Sequence, residues 1–286
     1  MVAFRWQMLA LLVAAASAGC TPAPAPDNPA LSTPTPARAS SGASTTAGAS
    51  TTPSTSTPHS RASATPARPA ASSSAPSAVP RIPPISAKAR AAGLIDIRTV
   101  VPDAIVDLRY ATTDNFVGVR LYPADARCLV HQSMAAGLTA AADRLRRAGY
   151  LLVFWDCYRP HAVQVHMFQV VPDPNWVARP GPLATSHEAA RSVDVTLANA
   201  ATGLGCPTAR RVQRHCLLDM GTGFDDFSAR AHAFASYGVS PQAQSNRSRL
   251  RTAMNSGGIT VYEGEWWHFD GPGAEVGRPH LDAPLR

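Results

Sequence analysis

The segment Glu265-Trp266-Trp267-His268 lies near the C-terminus, within a run of strand-forming residues at 259–269. It places a carboxylate and an imidazole three residues apart, and a hydrolytic zinc site needs these groups as a base and a metal ligand. Residues three apart face opposite sides of a regular strand. Glu265 and His268 therefore need a bend between them to converge on one ion, and the sequence alone does not locate that bend.

A second polar segment, upstream of the first, supplies further ligands. Asp194 lies in the alternating run 192–197, whose other face is apolar. A carboxylate in such a strand is costly to bury unless it is paired or binds a metal. His187 precedes Asp194 closely enough for a loop to fold back onto the strand. We therefore predict that His187, Asp194 and His268 bind one zinc ion. Glu265 then activates a water in the open fourth position.

The residues around these segments predict a single α+β domain over 87–286, with a mainly antiparallel sheet flanked by helices. Strands and helices are mixed without the regular alternation of parallel α/β folds. The predicted strands are 105–112, 150–155, 192–197 and 259–269, and the predicted helices begin near Ser133, Pro160 and Asn246.

The N-terminal 20 residues have the pattern of a lipoprotein signal peptide. Arg5 is followed by an apolar run at 8–16 and by small residues directly before Cys20. In this interpretation Cys20 is acylated and becomes the mature N-terminus. The alternative is an ordinary signal peptide that is cleaved nearby, with Cys20 incidental. Residues 21–86 are almost entirely Ser, Thr, Pro, Ala and Gly, and we expect a disordered linker there.

Both interpretations of the N-terminus predict export. We expect a lipoprotein of the cell membrane that faces the cell wall, or a secreted protein if Cys20 is not acylated. Membrane contact is expected only through the N-terminal lipid anchor.

The remaining charged residues imply no basic face, and most of the nine histidines are expected to have ordinary roles. Of the 26 basic and 19 acidic residues, five basic and one acidic residue precede residue 87, so the rest carries 21 basic against 18 acidic residues. This near balance argues against nucleic acid as a partner. Six histidines of the domain show no convincing partner, and we expect surface or core roles for them: His131, His161, His166, His215, His232 and His280.

Four cysteines lie in the predicted domain, and an even number in an exported domain favours two disulfides. Of the three possible connectivities we favour Cys206–Cys216, which are close in sequence, with Cys128–Cys157. A zinc site built from cysteines is the alternative. The sequence has no CxxC pair to support it.

Five blocks of residues carry a more specific signal. In order, they are RYATTDNF at 109–116, WDCYRP at 155–160, SH through DVTL at 186–197, MGTGFD at 220–225 and EWWH at 265–268. With these blocks, over about residues 94–270, the chain resembles D-alanyl-D-alanine dipeptidases of the VanX type. These belong to a zinc peptidase family that also includes D,D-carboxypeptidases.

The resemblance implies one zinc ion per chain, bound by His187, Asp194 and His268, with Glu265 as general base and acid. The implied reaction is hydrolysis of the dipeptide D-Ala-D-Ala in cell-wall peptide metabolism, and the implied partner is therefore a small dipeptide. The oligomeric state stays open.

The resemblance also implies roles for three further residues. Arg159 is expected to stabilise the tetrahedral oxyanion, since a guanidinium stays charged and offers a planar fork of donors. The alternative for Arg159 is a structural salt bridge with Asp156. Asp225 and Tyr110 are expected to hold the ammonium group of the substrate. Their alternatives are a loop cap for Asp225 and core packing for Tyr110.

The chain departs from the family pattern at three positions, one of which is Arg191, where the family usually has a small residue. Ala190 stands where the family usually has Gly, three residues after the first zinc histidine. If that position needs a positive φ, alanine is strained there by roughly 1 kcal/mol or more. Cys157 replaces the usual Gly before Tyr158-Arg159, which is consistent with an added disulfide in an exported enzyme.

Two other functions stay open at this point. A D,D-carboxypeptidase acting on peptidoglycan stem peptides would fit a domain tethered outside the cell. A non-catalytic module that binds the cell wall would need neither Glu265 nor Arg159, so their joint presence argues against it.

Overall fold

The computed structural model describes residues 82–203 and 205–286. The predicted signal peptide, the predicted lipidation site at Cys20 and the predicted linker up to residue 81 lie outside these ranges. Within the described ranges, no helix combines the length and the apolar character that a membrane crossing requires.

The described residues form four α-helices and nine strands, joined by short 3-10 helices. The longest helix begins five residues before the predicted start near Asn246, because Ser240 caps it and Pro241 occupies its first turn. The helices are α1 (Ala87–Ala91), α2 (Ala135–Arg147), α3 (His161–Val170) and α4 (Pro241–Ser256). The strands are β1 (Leu94–Asp96), β2 (Ile105–Val106), β3 (Leu129–His131), β4 (Tyr150–Asp156), β5 (Ser192–Asn199), β6 (Arg211–Val212), β7 (His215–Cys216), β8 (Thr260–Val261) and β9 (His268–Asp270).

The central sheet has five strands in the order β2-β4-β5-β9-β8. β2 pairs parallel with β4, and the other three pairings are antiparallel. This architecture confirms the predicted α+β class with a mainly antiparallel sheet. The register places Asp156 opposite Asp194 and Asp194 opposite His268. Residues directly opposite each other share a face, so three polar side chains lie side by side across β4, β5 and β9.

Helices α2 and α4 pack against each other and against the sheet. Leu138, Leu250 and Met254 are fully buried in the core. At one point the backbone of α2 and the backbone at the end of α4 approach so closely that no side chain fits between them. A Cβ on Gly137 would lie 2.3 Å from the Gly257 carbonyl oxygen, and a Cβ on Gly257 would lie 2.1 Å from the Gly137 carbonyl oxygen. Both positions therefore require glycine.

The predicted strand at 259–269 is wrong in its middle, because the chain reverses there. β8 and β9 pair antiparallel, so the reversal lies between Val261 and His268. Glu265 lies within it. Its N–H donates to the Tyr262 carbonyl at 3.3 Å, and the His268 N–H donates to the Glu265 carbonyl at 3.4 Å. This reversal is the bend that brings Glu265 and His268 to one place.

The predicted strand at 105–112 is also wrong beyond Val106. Residues Arg109–Ala111 form a 3-10 helix instead. The N–H groups of Leu121 and Tyr122 both donate to the Tyr110 carbonyl, at 2.9 and 2.8 Å. These two bonds hold the helical turn, and Tyr110 is buried within it.

Arg247 on α4 is 1% exposed and ties two segments of the site together. Its guanidinium donates to the carbonyls of Met220, Arg230 and His232 at 2.7, 2.9 and 3.0 Å. It also lies over the ring of Trp266, with its carbon 5.5 Å from the ring centre. Burial lowers the pKa of Arg247 to about 10, so it stays charged at neutral pH. The loop at 219–232 and the β8–β9 turn are thereby held in one arrangement.

Replacing Arg247 by Leu is expected to lower the free energy of unfolding by about 3 kcal/mol or more. Each buried carbonyl that loses its donor is destabilised by about 1–3 kcal/mol. Urea denaturation measures the change. Arg249→Leu on the same helix is the control, since Arg249 donates to the Asn246 side chain and lies over the Tyr150 ring, and we expect a smaller loss of about 1–2 kcal/mol there. Equal losses in both variants would contradict the role of Arg247.

Candidate active site

Three predicted ligand atoms meet at one point. His187 Nε2 lies 3.2 Å from Asp194 Oδ1 and 3.1 Å from His268 Nδ1. His268 Nδ1 lies 3.1 Å from Asp194 Oδ1. The residues come from the 3-10 helix Ser186–Ala189, from β5 and from β9. The sheet register therefore supplies two of these atoms, and a helical turn supplies the third.

In each imidazole, the ring nitrogen that points away from the cluster (the rear nitrogen) donates to an acceptor. The other ring nitrogen (the front nitrogen) faces Asp194. His187 Nδ1 donates to the Cys157 carbonyl at 2.8 Å, and His268 Nε2 donates to Asp270 Oδ1 at 3.0 Å. Burial opposes ionisation of Asp270, but the hydrogen bond from His268 lowers its pKa below the usual value. A carbonyl and a carboxylate only accept, so the rear nitrogen of each ring carries the proton. In the neutral form of each ring, the front nitrogen therefore presents a lone pair to Asp194.

Two lone pairs and a carboxylate oxygen at this spacing repel one another unless positive charge lies among them. The pKa values of His268 and Asp194 reflect this need for positive charge. Burial disfavours charge on His268, yet its hydrogen bonds to Asp194 and Asp270 raise its pKa to about 10. Burial also disfavours charge on Asp194, yet His187 and His268 lower its pKa well below the usual value. Two imidazoles and one carboxylate suit a transition-metal ion with one position left open.

Glu265 faces this cluster from the β8–β9 turn. Its Oε2 lies 4.0 Å from His268 Nδ1, and its side chain is 16% exposed. Burial raises the pKa of Glu265 to about 7, with His268 opposing the rise and Asp194 adding to it. A carboxyl group that titrates near neutrality can both accept and return a proton.

Arg159 lies beside the cluster and is held by Asp156. Its Nε and Nη2 donate to Asp156 Oδ2 at 2.9 and 2.8 Å, and its Nη1 donates to Gln164 Oε1 at 2.8 Å. Its Nη2 lies 3.8 Å from Asp194 Oδ2. The salt bridge with Asp156 that the sequence offered as an alternative is therefore present. It holds the guanidinium next to the ligand cluster, so it does not compete with a catalytic role.

Tyr110 and Asp225 form a second polar pair in the same region. The Tyr110 hydroxyl donates to Asp225, at 3.1 Å from Oδ1 and 3.2 Å from Oδ2. Burial raises the pKa of Asp225 well above its usual value, and the charges of Asp194 and Glu265 raise it further. Asp225 also has a φ of 54°. This left-handed conformation is unfavourable for a residue other than glycine and is typical of functional sites.

The turn that carries His187 has two more residues in this conformation. Ser186 has a φ of 47° and Ala190 a φ of 57°. The family position that usually holds glycine thus does need a positive φ in this chain. The Ala190 carbonyl accepts from the His131 N–H at 2.7 Å, and its N–H donates to the His187 carbonyl at 2.9 Å. These bonds hold alanine in a strained conformation that places His187 against the sheet.

Two disulfides occur in the structure, Cys128–Cys157 and Cys206–Cys216. This is the pairing favoured from the sequence. The first disulfide fixes the segment after β4, where the Cys157 carbonyl accepts from His187 and Arg159 follows two residues later. It thereby supports two side chains of the site.

All the residues predicted to act in catalysis, metal binding or substrate binding line one cavity of about 520 Å³. They are Tyr110, Arg159, His187, Asp194, Asp225, Glu265 and His268. The cavity thus brings together a His-His-Asp cluster of a kind that can hold a metal ion, two further buried carboxyl groups and a fixed cation. That set of groups is suited to peptide-bond hydrolysis.

Comparison with known proteins agrees with this geometry. A peptidase family model described as D-ala-D-ala dipeptidase matches residues 90–285. The chain belongs to this peptidase family. The D-alanyl-D-alanine dipeptidase of Escherichia coli (strain K12) is 34% identical over 181 residues, covering 63% of this chain and 86% of the relative. The D-alanyl-D-alanine dipeptidase of Enterococcus faecium is 31% identical over 191 residues, covering 57% of this chain and 83% of the relative. That of Streptomyces coelicolor is 31% identical over 183 residues, covering 57% and 83%.

The sequence reasoning missed the residues of this peptidase that hold the predicted ligands in place. Asp270 could have been found, since it lies two residues after His268 and therefore on the same face of β9. Ser192 could have been found in the same way from Asp194, and its hydroxyl donates to Asp270. Asp156 was predicted only as a salt-bridge partner of Arg159, and its position opposite Asp194 depends on the pairing of β4 with β5.

Removing the carboxylate behind His268 tests the metal-binding assignment. Asp270→Ala is expected to weaken Zn²⁺ binding by about 10–100-fold, because the ring loses the acceptor that fixes its tautomer. Competition with a chelator of known affinity measures the change. The control is Asp125→Ala, since Asp125 is an exposed carboxylate that pairs with Arg286. Unchanged affinity in Asp270→Ala would contradict the assignment.

Proposed function

We propose that this peptidase hydrolyses D-Ala-D-Ala to two molecules of D-Ala, with one catalytic zinc ion per chain, in cell-wall peptide metabolism. The observation that carries the proposal is the meeting of His187 Nε2, Asp194 Oδ1 and His268 Nδ1 within 3.2 Å of one another, beside the buried carboxylate of Glu265. Membership of the dipeptidase family supports the choice of substrate.

The ligand set suits zinc in a hydrolytic site. Two His and one Asp leave one of four tetrahedral positions open. When bound, Zn²⁺ supplies a Lewis acid that lowers the pKa of water and polarises the scissile carbonyl. The protein's contribution is to fix both tautomers. The Cys157 carbonyl and Asp270 accept the rear protons, so the front nitrogen of each ring is the one that faces the metal position.

Glu265 moves the protons of the reaction. Its carboxylate takes a proton from the attacking water while the water oxygen bonds to the scissile carbonyl carbon. It then gives this proton to the leaving amine nitrogen as the C–N bond breaks. The pKa of about 7 that burial gives Glu265 suits both transfers near neutral pH.

Arg159 stabilises the negative charge that develops on the carbonyl oxygen. Burial alone would lower its pKa, but the neighbouring Asp156 helps to raise the pKa of Arg159 well above its usual value, so the charge is permanent. Hydrogen bonds to Asp156 and Gln164 fix the guanidinium before substrate arrives. A fixed charge needs no reorganisation when the transition state forms.

Asp225 and Tyr110 bind the free ammonium group of the dipeptide. Burial and the nearby carboxylates make an isolated negative charge on Asp225 unfavourable, as its raised pKa indicates. A substrate ammonium supplies the opposite charge and lets Asp225 ionise. A peptide with an acylated amino terminus supplies no such charge. The proposed site therefore selects a free dipeptide over a stem peptide.

We also propose that the enzyme acts outside the cytoplasm, anchored through an acylated Cys20 or secreted. The N-terminal pattern supports export. Two disulfides in the described part of the chain agree with an oxidising compartment.

Glu265→Gln is expected to lower kcat for D-Ala release from D-Ala-D-Ala by about 10²–10⁴-fold, because glutamine cannot take up the proton. Zinc content should stay unchanged, since the ligands are intact. A coupled assay for D-Ala and metal analysis measure the two quantities.

The control is Glu263→Gln, which changes an exposed carboxylate in the same turn and should leave kcat unchanged. In the unmodified enzyme, a chelator should abolish D-Ala release and added Zn²⁺ should restore it. Normal turnover by Glu265→Gln, or by the chelated enzyme, would refute the mechanism.

A further inference from the structure

A second cluster of metal-binding side chains lies near the proposed catalytic site. It consists of His161 at the start of α3, Glu188 in the 3-10 helix Ser186–Ala189, and His280 in the C-terminal segment. His161 Nδ1 lies 2.6 Å from Glu188 Oε1, and His280 Nδ1 lies 3.5 Å from the same oxygen. The expectation that His161 and His280 have no partner is therefore wrong.

The protonation state of His280 can be read from its surroundings. Its Nε2 lies 3.2 Å from the Gly181 carbonyl oxygen, which only accepts, so Nε2 carries the proton and donates it. In the neutral ring, His280 Nδ1 then carries the lone pair. This atom is buried and has no hydrogen-bond partner among the described residues. A buried acceptor that faces a carboxylate oxygen is unfavourable unless positive charge lies between them.

Two spacings in the cluster can be compared with those around a tetrahedral ion. Ligands at about 2.0–2.1 Å from zinc lie about 3.3 Å apart in a tetrahedron. The distance between His280 Nδ1 and Glu188 Oε1 already matches this value. His161 Nδ1 has to move away from Glu188 by about 0.7 Å. Its side chain is 39% exposed, so it has room to do so. All three ligand atoms lie within 4.8 Å of one another.

We propose that His161, Glu188 and His280 bind a second Zn²⁺ ion, distinct from the catalytic one. Two imidazole nitrogens and one carboxylate oxygen are ligands that zinc prefers, and water completes the coordination. The ion would join three segments of the chain. Two of them carry catalytic side chains, since Arg159 lies two residues before His161, and His187 directly precedes Glu188.

Counting metal ions in the full chain tests this proposal without any need for peptidase activity. After treatment with chelator, reloading with Zn²⁺ and removal of excess ion, the unmodified protein is expected to hold two Zn²⁺ per chain. His161→Gln and His280→Gln should each hold one. The matched control is His166→Gln, an exposed histidine on the same helix α3, which should retain two.

A catalytic-site variant assigns the remaining ion. Asp194→Asn should lose the catalytic ion and keep one, and combining it with His280→Gln should leave none. One ion in the unmodified protein, or two in both His161→Gln and His280→Gln, would overturn the proposal. Loss of both ions in each single variant would overturn it as well, because the second site would then not be separable from the first. Failure of D-Ala-D-Ala hydrolysis would leave the metal count unaffected, so the two proposals fail independently.

Discussion

The structure of the site depends on the convergence of two imidazole lone pairs and one carboxylate oxygen at 3.1–3.2 Å. Such groups repel one another, so the fold must hold them together until a cation joins them. Strand pairing holds two of these groups together, because Asp194 and His268 lie opposite each other on β5 and β9. The acceptors behind the two rings do the rest. They fix which nitrogen faces the cluster and leave the histidines no other arrangement.

Holding these groups requires strained backbone nearby. Ser186, Ala190 and Asp225 all have left-handed conformations, each of which costs about 1–2 kcal/mol. These three residues lie in the turn that carries His187 and in the loop that carries the proposed ammonium-binding carboxylate. Two contacts hold the neighbouring segments in place: the disulfide at Cys157 and the hydrogen bonds of the buried Arg247 guanidinium. Stability and function are thus coupled at the same segments.

Much of the site could be predicted, because each ligand lies in a local pattern that a sequence shows. Asp194 interrupts an apolar alternation, and the resemblance supplied Arg159 and Asp225. What could not be predicted depends on contacts between distant segments. The reversal at Glu265 follows from the pairing of β8 with β9, whereas strand propensity favoured one continuous strand at 259–269. The meeting of His161, Glu188 and His280 has the same origin, since no two of them are close in sequence.

We propose above that a zinc site next to the buried carboxylate of Asp225 hydrolyses a free dipeptide. The most direct measurement compares kcat/KM for D-Ala-D-Ala with kcat/KM for its N-acetylated form, using zinc-loaded enzyme. We expect a preference of about 10²–10⁴-fold for the free dipeptide, since the acetylated form cannot make the buried charge pair with Asp225, and loss of such a pair costs about 3–5 kcal/mol. Equal values would contradict selection by Asp225 and favour a carboxypeptidase. Release of D-Ala from neither compound would contradict the hydrolytic function itself.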